Sequence, residues 1–175
     1  MTTRIVLIGA ESTGKSTLAE ALATAKDLPR THEFVRTYAA ALDRPLQEAD
    51  LDRIARGQLA EEDRHGDVPV VLHDTNLLST LIYARHYFGV EQAWLEEAFA
   101  ARHYAVYLFC QPDIPWVADP GQREGPQARA QLHGLFEAEL RRRSLPCVRI
   151  RGDRDVRLRA ALAALDHPER APPIP

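Results

Sequence analysis

Apolar and polar positions along the chain follow two alternating rhythms. Short unbroken runs of Val, Ile and Leu alternate with longer segments where apolar residues return every three or four positions. RIVLIG (4–9) is the first unbroken run, as expected of a strand buried on both faces of a parallel sheet. STLAEALATAK (16–26) then places Leu18, Leu22 and Ala25 at helical spacing, and DLPR ends the helix. THEF (31–34) is expected to be a second short strand, followed by a helix through VRTYAAAL (35–42). LQEADLDRIARGQLAEEDRHG (46–66) is amphipathic and heavily charged, which predicts a surface helix. VPVVLHD (68–74), YAVYLFC (104–110) and PCVRIRG (146–152) are three more buried strands. NLLSTLIYARHYFG (76–89), EQAWLEEAFAAR (91–102), residues 127–143 and DVRLRAALAAL (155–165) are the remaining helices. Strands alternating with helices predict an α/β layer fold around a parallel sheet. No internal repeat or second boundary interrupts it, so residues 1–167 are expected to form one domain. The Pro- and Gly-rich stretch 111–129 supplies a mobile lid over about 112–130, and the proline-rich tail 168–175 is expected to fray.

Composition narrows the class. The chain has 175 residues, 45% hydrophobic and 27% charged, enough for one compact core. A net charge of −3 gives no broad attraction to nucleic acid or an acidic membrane. Cys110 and Cys147 sit inside apolar runs, as reduced, buried small hydrophobes do. The apolar stretch at the start is too short for a signal peptide, and no run reaches membrane-spanning length. A soluble, cytoplasmic protein is expected. Seven histidines are scattered without metal-binding spacing and read as structural.

Lysine is scarce: Lys15 and Lys26 are the whole complement. Lys15 stands inside GAESTGKS, residues Gly9, Ala10, Glu11, Ser12, Thr13, Gly14, Lys15 and Ser16, which match the G-x-x-x-x-G-K-[ST] phosphate loop. The glycines allow the backbone to curl so that successive N–H groups face one concavity. The N-terminus of the following helix, where Thr17 lies, adds its positive dipole end. Lys15 reaches the β- and γ-phosphates of a nucleotide, and the Ser16 hydroxyl is a ligand for Mg²⁺. The alternative is a glycine turn with a solvated lysine. The strand before and the helix after favour the phosphate loop.

VVLHD ends in Asp74, and an aspartate closing a strand beside a phosphate loop holds Mg²⁺ or its water. Helix capping competes for the same residue, because DTN precedes a helix. Arg123 and Arg129 lie in the segment after the third clear strand, where arginine forks suit a lid closing over a transferring γ-phosphate. Solvated helix charge is their alternative.

GAESTGKSTL, HEFVR, VVLHDTNLLST and PWVADPGQR with Arg129 six residues on resemble the ribosylnicotinamide kinase domain of bacterial NAD-salvage proteins, a member of the AAA-type P-loop ATPase/kinase class. The resemblance runs from Arg4 to about Leu165. The partner domains often fused to that domain, an adenylyltransferase and a DNA-binding regulator, do not fit in 175 residues, so a stand-alone form is expected. It implies a P-loop kinase three-layer α/β/α sandwich with a five-stranded parallel sheet ordered 2-3-1-4-5. It also implies ATP and Mg²⁺ as cofactors and γ-phosphate transfer to a ribose 5′-hydroxyl, with nicotinamide riboside as the substrate. Carried onto this chain, Glu33 and Arg36 face the acceptor at the end of the second strand. Glu33 there accepts ribose hydrogen bonds or the attacking hydroxyl's proton. Trp116 becomes a platform for a flat cationic ring. As alternatives, Glu33 and Arg36 form a surface ion pair three residues apart, and Trp116 belongs to the core. One extra residue and Pro120 depart from the family's lid, so another nucleoside-like alcohol stays open as acceptor.

Other readings remain on the sequence alone. A kinase of a vitamin alcohol or a polynucleotide end is one, and the latter would use the basic run Arg141–Arg143 and the arginines from Arg149 to Arg159. A regulatory module that binds ATP without transferring phosphate is another.

Overall fold

The computed structural model describes residues 2–117 and 125–175. Five parallel strands form one sheet: β1 (Thr3–Ile8), β2 (Arg30–Thr31), β3 (Val70–Asp74), β4 (Val106–Cys110) and β5 (Cys147–Ile150). Their spatial order is β2-β3-β1-β4-β5, as the family resemblance implies. Seven α-helices connect them among the described residues: α1 (Lys15–Lys26), α2 (Phe34–Ala40), α3 (Leu51–Asp63), α4 (Leu77–Tyr83), α5 (Ala93–Ala100), α6 (Pro126–Arg142) and α7 (Arg154–Asp166).

Alternation of side chains on the central strands explains the three layers. Ile5 and Leu7 of β1 pack with Leu18 and Leu22 of α1 and Ala161 and Ala164 of α7. Val6 and Ile8 point the other way, into Ala55 of α3, Leu77 and Leu81 of α4, Leu95 and Phe99 of α5 and Phe136 of α6. On β4 the same division sends Val106, Leu108 and Cys110 to the first layer and Tyr107 and Phe109 to the second. Both faces are covered, which is why these strands lack a polar alternation.

Several expectations shift. The second strand is Arg30–Thr31 rather than 31–34, because only Arg30 and Thr31 pair with β3, and Phe34 already opens α2. Helix α3 is less superficial than its charge suggests, since Leu51, Ile54, Ala55, Gln58 and Glu62 are all buried. Helix α4 runs on into a single π turn, Ala84–Phe88, before Gly89 ends it at φ +68°. The tail does not fray. Pro172 O accepts the Cys147 N–H at 3.0 Å, Pro173 bridges Pro146, and Ile174 joins the core beside α6.

All parallel strands end on the same edge, and ligand sites of α/β sheets lie there. That edge carries the loop after β1, Asp74 at the end of β3, Glu33 after β2 and Gln111 after β4.

Candidate active site

The β1–α1 loop is curled by three residues of positive φ: Gly9 at +141°, Ser12 at +54° and Gly14 at +78°. A Cβ on Gly9 would lie 2.8 Å from the Cys110 carbonyl oxygen, so only glycine lets β4 come this close. Inside the curl, Thr13 Oγ1 donates to Ala10 O at 2.7 Å and Lys15 Nζ donates to the same carbonyl at 2.8 Å. Thr13 and Lys15 are buried. No side chain caps the N-terminus of α1 and no acidic residue occupies its first turn. Its leading N–H groups therefore keep their capacity for an anion. Residues Ser12 through Thr17 line a cleft of about 320 Å³, completed by Arg36, Ile114, Pro115 and Val117.

Asp74 lies next to this loop because β3 pairs with β1 in register, Leu7 opposite Asp74, and the Thr75 N–H donates to Leu7 O at 3.1 Å. The next two residues separate its possible roles. Asn76, not Asp74, caps α4: its Oδ1 accepts the Leu78 N–H at 3.2 Å, while its Nδ2 donates to the Tyr107 hydroxyl. Thr75 bends the chain at φ +75°, a rare conformation for a β-branched residue, and its hydroxyl is paired with Ser79 Oγ. Asp74 is 4% exposed, and its Oδ1 is sealed from solvent without a hydrogen-bond partner. A buried carboxylate oxygen left unpaired costs stability, and a bound ligand would relieve that cost. Together with the Ser16 hydroxyl it offers the all-oxygen donors that a hard divalent cation prefers.

Helix α3 ties the loops after β2 and β3 together. Buried Gln58 accepts the Phe34 N–H at 3.1 Å and donates to Thr75 O at 3.5 Å, tying the start of α2 to the exit of β3. Glu33 occupies the N-cap position of α2 and accepts from Arg36 Nε at 3.4 Å. The Arg36 side chain reaches the cleft wall. Glu33, Arg36 and the phosphate loop are thus neighbours in space.

On the opposite wall, the Val117 N–H donates to Ser12 Oγ at 3.0 Å. Arg129 Nη1 donates to Ser12 O at 3.2 Å and Ile114 O at 3.0 Å, so α6 is fastened to the phosphate loop and to the segment after β4 together. Trp116 is half-buried between Pro115 and Val117 but does not itself form the described wall of the cleft. Arg123 and Pro120 lie outside the described residues.

One residue of the site entered the sequence reading only within the basic stretch Arg149 to Arg159, as a polynucleotide contact. Arg157 of α7 is 5% exposed, and Nη1 donates to Thr13 O at 2.9 Å. No motif marks it, because its partner is 144 positions away. Cys110, beneath the loop, is pushed up to about 11 by burial despite the nearby charges of Lys15 and Arg157, so it is no nucleophile.

The run Arg141–Arg143, one of the two basic segments a polynucleotide reading would use, is paired with carboxylates. Glu139 holds Arg142 and Arg143 at 2.8 Å each, and also Arg85. Burial raises the Glu139 carboxyl, but those three guanidinium groups outweigh it and hold it at about 2. Arg141 is turned to Glu137 and to the Pro175 carbonyl.

The sequence profile of the AAA domain family matches residues 4–157. The trifunctional NAD biosynthesis/regulator protein NadR of Escherichia coli (strain K12) is 25% identical over 154 residues, covering 83% of this chain and 37% of that protein. A crystal structure of NadR protein in complex with NR superposes with a TM-score of 0.83 at 25% identity, covering 97% of this chain and 52% of that one. A second, in complex with NAD and AMP-PNP, gives 0.79 at 24% identity over 95% of this chain and 49% of that chain, a likeness of fold. The chain therefore spans only about a third to a half of the length of these relatives.

Proposed function

We propose that this chain, which belongs to the AAA domain family, is an ATP-dependent small-molecule kinase that transfers the γ-phosphate to the 5′-hydroxyl of a riboside. Nicotinamide riboside is the acceptor favoured, because the NR complex comes from a relative that covers nearly all of this chain. The observation that carries the reading is the phosphate loop beside Asp74, a buried carboxylate with one oxygen left unpaired. The working unit is residues 1–167, with the lid segment over about 112–130.

The loop N–H groups and the α1 N-terminus hold the nucleotide phosphates, and Lys15 exchanges its carbonyl contact for the β- and γ-oxygens. Ser16 and Asp74 would hold Mg²⁺, which neutralises charge on the same oxygens. Glu33 grips the ribose and takes the 5′-hydroxyl proton as that oxygen bonds to the γ-phosphorus. The bond between the γ-phosphorus and the bridging oxygen breaks, and ADP carries away the electron pair. Arg36 and the lid arginines Arg123 and Arg129 neutralise the phosphoryl oxygens in flight, and Trp116 stacks on the base. The proposed setting is the cytoplasm, where ATP is supplied and free cysteines such as Cys110 and Cys147 stay reduced.

The test is acceptor-dependent ADP release across nicotinamide riboside, other nucleosides, vitamin alcohols and 5′-hydroxyl oligonucleotides, with the product identified by mass spectrometry. Nicotinamide riboside should be phosphorylated fastest. Activity on another alcohol alone would discard this substrate, and ATP binding without any acceptor-dependent turnover would discard the kinase. Trp116→Ala should raise the acceptor KM and Glu33→Gln should lower kcat, each leaving ATP affinity in place.

A further inference from the structure

Arg157 makes more contacts than the anchoring of α7 requires. Its Nε donates to Gly152 O at 2.8 Å, Nη1 to Thr13 O at 2.9 Å, and Nη2 to Gln111 O at 2.9 Å and to Asp113 Oδ1. Asp113 Oδ2 in turn accepts the Gly152 N–H at 2.7 Å. One guanidinium thus joins the loop after β1, the loop after β4 and the turn before α7. Burial raises the Asp113 carboxyl, but the Gly152 N–H and Arg157 outweigh it and lower it, so the pair stays charged. A lysine could not make this pattern, because it lacks a planar fork that addresses several acceptors at once.

Peptide geometry gives the Thr13 contact its consequence. Thr13 C=O and Gly14 N–H belong to one planar trans unit and point in opposite directions. Thr13 and Gly14 line the cleft, whereas Arg157 lies behind them and is not part of its described wall. Drawing the carbonyl toward Arg157 therefore turns the Gly14 N–H into the cleft. Without that pull, Gly14, at φ +78° and with no Cβ, is the loop residue freest to rotate. We infer that Arg157 is a positioning residue for phosphate binding: it fixes the Thr13–Gly14 peptide so that the Gly14 N–H meets a nucleotide phosphate, and Asp113 anchors it in turn. This inference rests on the kinase reading above.

Calorimetric binding of AMP-PNP and of AMP to wild type, Arg157→Lys and Asp113→Asn tests it, with melting temperature recorded for each. AMP-PNP reaches the loop through its β- and γ-phosphates, whereas AMP carries a single phosphate. A misaligned charge-assisted hydrogen bond should lower the AMP-PNP to AMP affinity ratio about tenfold in Arg157→Lys. Asp113→Asn should lower it by a smaller factor. General loosening of the fold weakens both ligands alike and leaves the ratio unchanged. A folded Arg157→Lys whose ratio stays within about twofold of wild type would make the residue only a staple of the fold. Should neither variant fold, the wild-type amide spectrum decides. The Gly14 proton must move downfield on adding AMP-PNP, and an unmoved Gly14 amide overturns the inference. Failure of wild type to bind AMP-PNP at all would instead remove the kinase reading and this inference with it.

Discussion

Asp74→Asn separates function from folding, because turnover should fall far more than stability. Asparagine keeps the shape of the side chain and removes its charge. Helix α4 keeps its cap, which comes from Asn76. Asp74 is 4% exposed and its Oδ1 has no hydrogen-bond partner. An unsatisfied buried acceptor costs about 1–3 kcal/mol, and more when it is charged. Asparagine also leaves a polar atom unpaired there, so the melting temperature should stay within about 2–4 °C of wild type, about 1 kcal/mol for a chain this size. Turnover should fall about tenfold to a hundredfold if a charged metal ligand is lost, roughly 1.4–2.7 kcal/mol of barrier. Thermal melts with AMP-PNP, with and without Mg²⁺, give a third reading. The wild type should gain stability from the metal by mass action, and the variant should lose that increment. An Asp74→Asn protein that melts lower than wild type, yet turns over normally when folded, would refute the reasoning. Asp74 would then be a structural residue whose free oxygen has no bearing on catalysis.

Lys15→Ala should cut turnover at least about tenfold, about 1.4 kcal/mol of barrier, and activity within about twofold of wild type would contradict its phosphate role. Gly9→Ala should destabilise the fold by about 1–3 kcal/mol in chemical denaturation and weaken nucleotide binding, since φ is +141° and the Cys110 carbonyl is backbone that cannot yield. Glu62 supplies a pH signature. Burial raises its carboxyl to about 7 from 4.5, although the Tyr104 hydroxyl and Arg102 act in the other direction. A raised carboxyl pKa gives stability that is fully present below about 4.5 and lost as pH rises through about 7, a change of up to about 3 kcal/mol. Buried His73, lowered to about 3, opposes this trend below its unfolded value of 6.5, where its contribution grows with pH. The difference in melting temperature between Glu62→Gln and wild type isolates the glutamate. It should grow from pH about 4.5 to 7, and a flat difference would show that Glu62 titrates normally.

What could be read from the chain was whatever is local or periodic. The phosphate loop is eight consecutive residues whose chemistry is carried by backbone N–H groups and one lysine, so its spacing announces it before any fold is known. Strands β1 and β4 were legible for a related reason. Burial on both faces leaves an unbroken apolar run, and that run fixes a parallel sheet covered by helices. The two-residue β2 was misplaced because so short a strand has no periodicity, and only pairing with β3 defines it.

Tertiary structure decided the questions in which one residue type serves two ends. DTN allows either Asp74 or Asn76 to cap α4, and only the hydrogen bond to Leu78 awards the cap to Asn76 and leaves Asp74 Oδ1 unpaired. RRR reads as a basic patch until Glu139, Glu96 and Glu137 are seen to neutralise it. APPIP reads as a loose end until Ile174 enters the core, because hydrophobic burial there depends on a surface formed by β5 and α6. Arg157 is the extreme case. Beside the Asp113 carboxylate, its partners are three backbone carbonyls, which every residue carries and no sequence pattern marks, and they lie as much as 144 positions away. The sequence therefore determined the fold and the phosphate loop, where chemistry and chain order coincide. That Arg129 and Arg157 both hold that loop, and that Asp74 is no helix cap, became visible only when distant segments met at one edge of the sheet.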